Sequence, residues 1–327
     1  MKRLALLLLI LAGLLLSSQQ VGSTGTGPLV VTTVSPLASI VGEAFPDVRV
    51  IYLIPPSADP HEYQLTAEQV TLLKEASVIV TTGGHLPIEA RIKELSDEGQ
   101  LKGRALFLDD YKKQGFRYLK ERWYGGKDNP HGVWLDPTNA IAIAGATERA
   151  LQEVDPADAA LYRKDFEVFK EKVGAIEEAL RDSVPENSTA VIDMPPVQYA
   201  VAWLGVKPIA AIKPEEEVPA LPVDELVGKA KESDLIVYNL QGSSQLKNAA
   251  SELASKSGRP LAGVVVFWGN EPYTKVLLKN SISIIKAFSG GRKIVKVEAG
   301  KSPLPYAISA LFAGLSLGMA LGYILRR

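Results

Sequence analysis

Short unbroken apolar runs alternate with amphipathic stretches through most of the chain. "PLVVTTVSPLASIVGEAF" (28–45) predicts a buried strand, a proline turn and a helix. "VRVIYLIPP" (48–56) predicts a second strand, ended by Pro55 and Pro56, and "SVIVTTGG" (77–84) a third, stopped by glycines. Between them "TAEQVTLLKEA" (66–76) predicts a helix with Thr66 as its N-cap. "IEARIKEL" (88–95) is helical as well. After residue 187 the alternation resumes. "STAVIDMPP", "DLIVYNL" and "LAGVVVFWG" read as strands, and "VQYAVAWLG", "VDELVGKAKES", "SSQLKNAASELASKSG" and "YTKVLLKNSISIIKAF" as helices. Strands written as continuous apolar runs and separated by helices predict parallel sheets covered on both faces.

Between the two alternating regions lies "DPADAALYRKDFEVFKEKVGAIEEALRDSVP" (155–185), with Phe166, Phe169, Val173, Ile176 and Leu180 on one stripe. At 1.5 Å per residue it predicts a helix of roughly 40 Å, read as a strut crossing both lobes, with an αα-hairpin as the alternative. The fold class expected is α/β: two α/β lobes with parallel-type sheets, joined by one long backbone helix, plus a C-terminal transmembrane helix. The expected boundaries are 1–27, 28–150, 151–186, 187–290, 291–303 and 304–325.

The first and last of these segments are read apart from the fold. Lys2 and Arg3 precede an apolar run from Leu4 to Leu16 and then small polar residues, the form of a secretory signal peptide. Residues 304–325 carry no charge and precede Arg326 and Arg327. A charge-free run of that length predicts a membrane span with its arginines in the cytoplasm, a buried core helix being the alternative. Along it Ala310, Gly314, Gly318 and Gly322 share one face. The expected location is therefore the cell membrane: single-pass, body on the extracellular face, C-terminus cytoplasmic. Residues 291–303 are read as a tether, and Asn187-Ser188-Thr189 is a formal glycosylation sequon.

Composition narrows the chemistry. The 327 residues are 46% hydrophobic and 22% charged, which suits a packed body. A net charge of −1 argues against a nucleic-acid partner. Cysteine is absent, which excludes disulfides, thiolate metal sites and a lipid-modified cysteine. The chain has three histidines, and two of them sit in nearly the same phrase: His61 in "ADPHEY" and His131 in "DNPHGVWLDP". A scarce residue used twice in proline-rigidified turns suggests a converging pair. The third, His85, directly follows "VIVTTGG". Ligands in parallel sheets bind beyond the carboxyl ends of strands, which is where His61 and His85 fall. The "PEEE" run at 214–217 reads as a solvated loop.

The stretch from "VTTVSPLASIVGEAFPDVRV" through "ADPHEYQLTAEQ" to "VIVTTGG", with "PHGVWLDPTNAIAIA" later, resembles the zinc- and manganese-binding solute-binding proteins of ABC transporters, the zinc-uptake family. The resemblance covers roughly residues 28–290. It implies two lobes on a rigid helix, one divalent transition metal ion (zinc or manganese) in the cleft as transported ligand, a membrane permease of an ABC importer as partner, and a monomeric soluble body. It also implies His61 and His131 as metal ligands.

The later motifs depart from that pattern. Gly132 and Val133 both stand between His131 and Trp134, where the family has one residue. Counting back from Tyr199 to the family's third ligand gives Met194, with Asp193 beside it. The family's last acidic ligand has no counterpart in "VVVFWGNE", which offers only Asn270 and Glu271 downstream. Side chains alternate along a strand, so one of Asp193 and Met194 should dominate, and the reading leans to Asp193. The candidate metal ligands are thus His61, His131, Asp193, Met194 and His85. Imidazole suits Zn, Cu, Fe and Ni, and carboxylate suits Mn. No catalytic motif is visible, so the chain is read as no enzyme. Two alternatives stay open: a same-fold protein with a degenerate metal site carrying another small solute or none, and a surface metallohydrolase.

Overall fold

The computed structural model describes residues 27–289 apart from Arg122, Tyr124, Glu216 and Glu217. The leader (1–27, all but its last residue), the tether (291–303) and the apolar segment 304–325 lie outside the described residues.

The first lobe runs β1 (Leu29–Val34), α1 (Ser35–Ala44), β2 (Arg49–Ile54), α2 (Ala67–Glu75), β3 (Val78–Val80), α3 (Pro87–Asp97), β4 (Arg104–Leu106) and α4 (Leu108–Lys112). A small antiparallel pair follows, β5 (Leu119–Lys120) with β6 (Asp128–Asn129). Then come a 3-10 turn over Val133–Leu135 and α5 (Pro137–Val154), and after a second 3-10 turn over Pro156–Asp158, α6 (Ala159–Leu180). The second lobe holds β7 (Thr189–Ile192), α7 (Val197–Ala202), β8 (Lys207–Ala211), α8 (Val223–Glu232), β9 (Leu235–Asn239), α9 (Ser244–Ser257), β10 (Leu261–Val264) and α10 (Tyr273–Ser289).

Each lobe has a four-stranded parallel sheet, in the order β2-β1-β3-β4 in the first and β10-β9-β7-β8 in the second. The burial follows from that order. β1 and β3 are central and buried at every position, while edge strand β2 is exposed at Arg49 and Ile51. The continuous apolar runs of the sequence are these central strands.

Local signals set the helix ends. Thr66 and Gln69 exchange side-chain-to-backbone bonds of 3.2 Å at the start of α2, a capping box. Asp136 caps α5 by accepting from the N–H groups of Thr138 (2.8 Å) and Asn139 (3.3 Å), with Pro137 in the first turn. Gly258 stops α9 at φ +70°.

The predicted strut is shortened. α5 extends to Val154 and the 3-10 turn at Pro156 separates it from α6, so the backbone helix is 22 residues, about 33 Å, rather than 40. Asp155 precedes the turn, and its carboxylate accepts from the Tyr162 hydroxyl at 2.7 Å. Tyr162, Phe169, Val173, Ile176 and Leu180 are buried on one face, and the helix packs on α1, α5 and α10, elements of both lobes.

Candidate metal centre

The two Pro-His phrases form the same turn. In Asp59-Pro60-His61 the His61 N–H donates to Asp59 Oδ1 at 2.9 Å. In Asn129-Pro130-His131 the His131 N–H donates to Asn129 Oδ1, also at 2.9 Å. A side-chain oxygen that bonds the backbone two residues on, with proline fixing φ between them, leaves the histidine little freedom of direction. His85 reaches the same place by a third route. It follows β3 across Gly83 (φ +121°) and Gly84 (φ +101°), conformations that side chains rarely adopt.

The three imidazoles converge. Ring centroids are 5.3 Å apart for His61–His131, 5.3 Å for His85–His131 and 6.2 Å for His61–His85. Three imidazoles on one tetrahedral ion, with metal–nitrogen bonds near 2.0–2.1 Å, hold their centroids about 5 Å apart. Among the described residues no three His, Asp or Glu groups are closed into a finished cage. The rings are therefore near one another but not yet in ligating geometry, and their 5.3 to 6.2 Å spacings would have to tighten around an ion.

Electrostatics favours the ligating form. Burial, then the neighbouring His131 and His61, pull the His85 imidazolium down to about 3. Burial, then His61 and Lys213, pull His131 down to about 4. Both are neutral near pH 7, as coordination requires. His131 Nδ1 is buried with no hydrogen-bond partner among the described residues, an atom that an ion would satisfy.

The cleft around the three rings has a volume of about 380 Å³. Pro56 to His61, His85, Leu86, His131, Gly132 and Trp134 line it from the first lobe. Met194, Pro196, Lys213, Asn239, Gln241 and Phe267 line it from the second. Apart from His131, Gly132 and Trp134, which follow the antiparallel β6, these residues stand at the carboxyl ends of β2, β3, β7, β8, β9 and β10, the edge where parallel sheets take ligands.

Asp193, the residue the sequence favoured, and Met194 lie in different places. The Asp193 side chain is fully buried and lies outside the cleft lining, with Oδ2 accepting the Asn239 N–H at 2.7 Å. Met194 lines the cleft instead, its sulfur 3.8 Å from Asn239 Nδ2. Side-chain alternation sends one of the pair to each side. Glu271 is also elsewhere, paired with Lys275 at 3.2 Å beside the start of α10. Among the described residues the one carboxylate on the lining is Asp59, which holds the His61 turn.

The pieces that bind the lobes together beside the site carry no signal in the sequence. Asn129 Nδ2 donates to Pro195 O and Gln198 Oε1, both at 2.9 Å. Trp134 Nε1 donates to Val266 O at 2.9 Å, and its ring meets Phe267 edge-on at 5.0 Å. Glu89 is a further residue that sequence reasoning missed. It is fully buried, burial pushes its carboxyl up, and hydrogen bonds from Thr82, Thr33 and Gly84 oppose that shift. Its signal is a Glu at the third position of a helix that opens shortly after two glycines.

Residues 30–286 match the family described as zinc-uptake complex component A, periplasmic. The metal ABC transporter substrate-binding lipoprotein ScbA of Streptococcus cristatus is 30% identical over 185 residues, 55% of this chain and 59% of that one. The manganese ABC transporter substrate-binding lipoprotein scaA of Streptococcus gordonii is 28% identical over 198 residues, 58% of this chain and 64% of that one. The matches thus span about three fifths of these relatives. Among solved structures, the periplasmic metal binding protein from Candidatus Liberibacter asiaticus superposes with a TM-score of 0.65. The match covers 80% of this chain and 99% of that one at 21% identity, a likeness of fold.

The relatives overturn one expectation. They are named lipoproteins, and among the described residues no helix is long and apolar enough to cross a membrane. The single-pass placement with a cytoplasmic C-terminus, and with it the transmembrane helix of the expected fold, is not retained.

Proposed function

We propose that this chain, which belongs to the periplasmic zinc-uptake complex component A family, is an extracytoplasmic receptor that captures a transition metal ion and delivers it to the permease of an ABC importer. The observation that carries the proposal is the convergence of His61, His85 and His131 at centroid spacings of 5.3 to 6.2 Å in the cleft. The metal is cargo. The three imidazoles are its proposed ligands, and Met194 is the second lobe's contribution.

The donor set favours zinc over manganese. Neutral imidazole nitrogen and thioether sulfur suit borderline and soft ions, whereas manganese prefers oxygen donors. Among the described lining residues the one carboxylate is Asp59, and its Oδ1 is engaged by the His61 N–H; the other side-chain oxygens there are neutral, on Ser57, Asn239, Gln241 and Ser243. A metallohydrolase is set aside because the family is that of an uptake component. The degenerate-site alternative accounts poorly for three histidines, the chain's whole complement, meeting in one cleft.

Metal analysis of the purified protein, with titrations of Zn and Mn, tests the reading. One zinc per chain is expected, with manganese at least tenfold weaker. His61→Ala, His85→Ala and His131→Ala should each cost more than the 10–100-fold typical of outer-shell changes. Stoichiometric binding that survives all three substitutions would move the ion elsewhere. No binding of any metal would favour the degenerate-site alternative.

A further inference from the structure

The loop that carries His85 is built around a buried carboxylate. Glu89 Oε1 accepts from the Thr33 hydroxyl at 2.7 Å and from the Thr82 N–H at 2.6 Å. Glu89 Oε2 accepts from the Gly84 N–H at 2.8 Å and the Leu86 N–H at 3.5 Å. Thr82 Oγ1 lies 3.0 Å from one carboxylate oxygen and 2.9 Å from the other. The same Oγ1 is 3.0 Å from His85 Nδ1.

We infer that Glu89 and Thr82 form a relay that fixes the tautomer of His85 and so bares its Nε2 for metal. The three backbone N–H groups can only donate, so both carboxylate oxygens serve as acceptors. The Thr33 hydroxyl and the N–H groups of Thr82, Gly84 and Leu86 all donate to the two oxygens, a donor set that fits the carboxylate form and opposes the upward push of burial; with Glu89 as a carboxylate, the single hydrogen of the Thr82 hydroxyl goes to it as well. Thr82 Oγ1 then offers His85 only lone pairs. His85 Nδ1 must therefore carry the ring hydrogen and donate it to Thr82, which leaves Nε2 without one. A metal-binding histidine held through its other nitrogen is oriented and made more basic. Thr82 and Glu89 are positioning residues. Glu89 reaches the imidazole only through the hydroxyl.

This inference rests on the proposal that His85 ligates the ion, and its test separates the two. The probe is the full-length chain with ¹⁵N-labelled histidine, metal-free and then titrated with zinc. In the metal-free wild type, long-range ¹H–¹⁵N spectra should show His85 with its hydrogen on Nδ1. Thr82→Val, which removes the acceptor at nearly constant volume, should release His85 from that tautomer and weaken zinc 10–100-fold. Thr82→Ser should restore both. Glu89→Gln would place an amide donor against Thr82 Oγ1 and turn the hydroxyl toward His85, moving the ring hydrogen to Nε2. If Gln cannot be accommodated among the backbone donors and the protein fails to fold, the threonine pair still decides. An Nε2–H tautomer in the wild type, or an unchanged tautomer in Thr82→Val, overturns the relay. A correct tautomer with zinc binding indifferent to His85→Ala leaves the relay standing and removes His85 from the ligand set.

Discussion

Gly132 stands against the backbone of Pro196. A Cβ built on Gly132 would lie 2.7 Å from Pro196 Cα and O and 2.8 Å from its Cβ, and Gly132 has φ +77°. Gly132 follows His131, and Pro196 begins the helix after Met194, so this contact brings the two lobes together at the cleft. One of the two residues between His131 and Trp134 is thus the point at which the second lobe approaches most closely. Gly132→Ala should fail on both counts, by a left-handed conformation and by a backbone clash. A loss of about 1–3 kcal/mol is expected, read as a fall of several degrees in melting temperature with weaker zinc binding. A stable Gly132→Ala variant would mean that the lobes sit farther apart than described.

Asn129 should matter as much as the histidine it supports. Its side chain accepts from His131 N–H and donates to Pro195 O and Gln198 Oε1. Asn129→Ala strands several buried groups at once, and about 1–3 kcal/mol is expected for each one left unsatisfied. Asn129→Asp keeps the turn at His131 but sets a carboxylate oxygen against two acceptors. Chemical denaturation should rank both variants below wild type. Equal stability of all three would show that the interlobe bonds contribute nothing.

The legible part of this molecule follows the range of its causes. Strands, capping boxes and proline turns are local, so "DPHEY" and "NPHGVWLDP" announced their own geometry, down to the shared Asx-Pro-His turn. The parallel sheets followed from apolar runs that only a central strand can bury. Illegible were the long-range pairs. Nothing in the sequence says that Asn129 meets Pro195 or that Trp134 donates to Val266. His85 was a candidate because it followed a strand, and its partner Thr82 is only three residues away, but the carboxylate behind that threonine is held by Thr33 across a 56-residue separation. Asp193 and Met194 differ by one position, and only the register of β7 against β9 decides which faces the cleft.

Acid should weaken the metal-free protein. Burial and neighbouring histidines and Lys213 hold His85 down to about 3 and His131 to about 4, against about 6.5 when unfolded. Between these values the unfolded chain binds more protons than the native one, so stability is complete above about pH 6.5 and is lost as pH falls toward 4 and then 3. Melting temperatures of metal-free wild type across pH 7 to 4 should fall more steeply than those of His85→Ala with His131→Ala combined. Zinc should raise the melting temperature at pH 7 by mass action. Parallel pH profiles for wild type and the double variant would remove these histidines as the cause.

The last expectation concerns metal choice, where Met194 and Asp193 separate cleanly. Met194 lines the cleft and Asp193 lies behind it, with Asn239 touching both: its N–H binds Asp193 Oδ2 and its side-chain amide lies against the Met194 sulfur. Asp193 thereby ties the end of β7 to the end of β9, and Met194 is carried to the opposite side. Asp193→Asn should therefore lower stability while leaving the preference among metals unchanged. Met194→Ala should weaken soft Cu(I) most and zinc less, because only the thioether is lost. Met194→Glu should bring an oxygen donor into the cleft and raise manganese affinity relative to zinc. Titrations of Zn, Mn and Cu(I) against the three variants test this. A change in metal preference in Asp193→Asn with none in either Met194 variant would reverse the assignment and put the carboxylate on the ion.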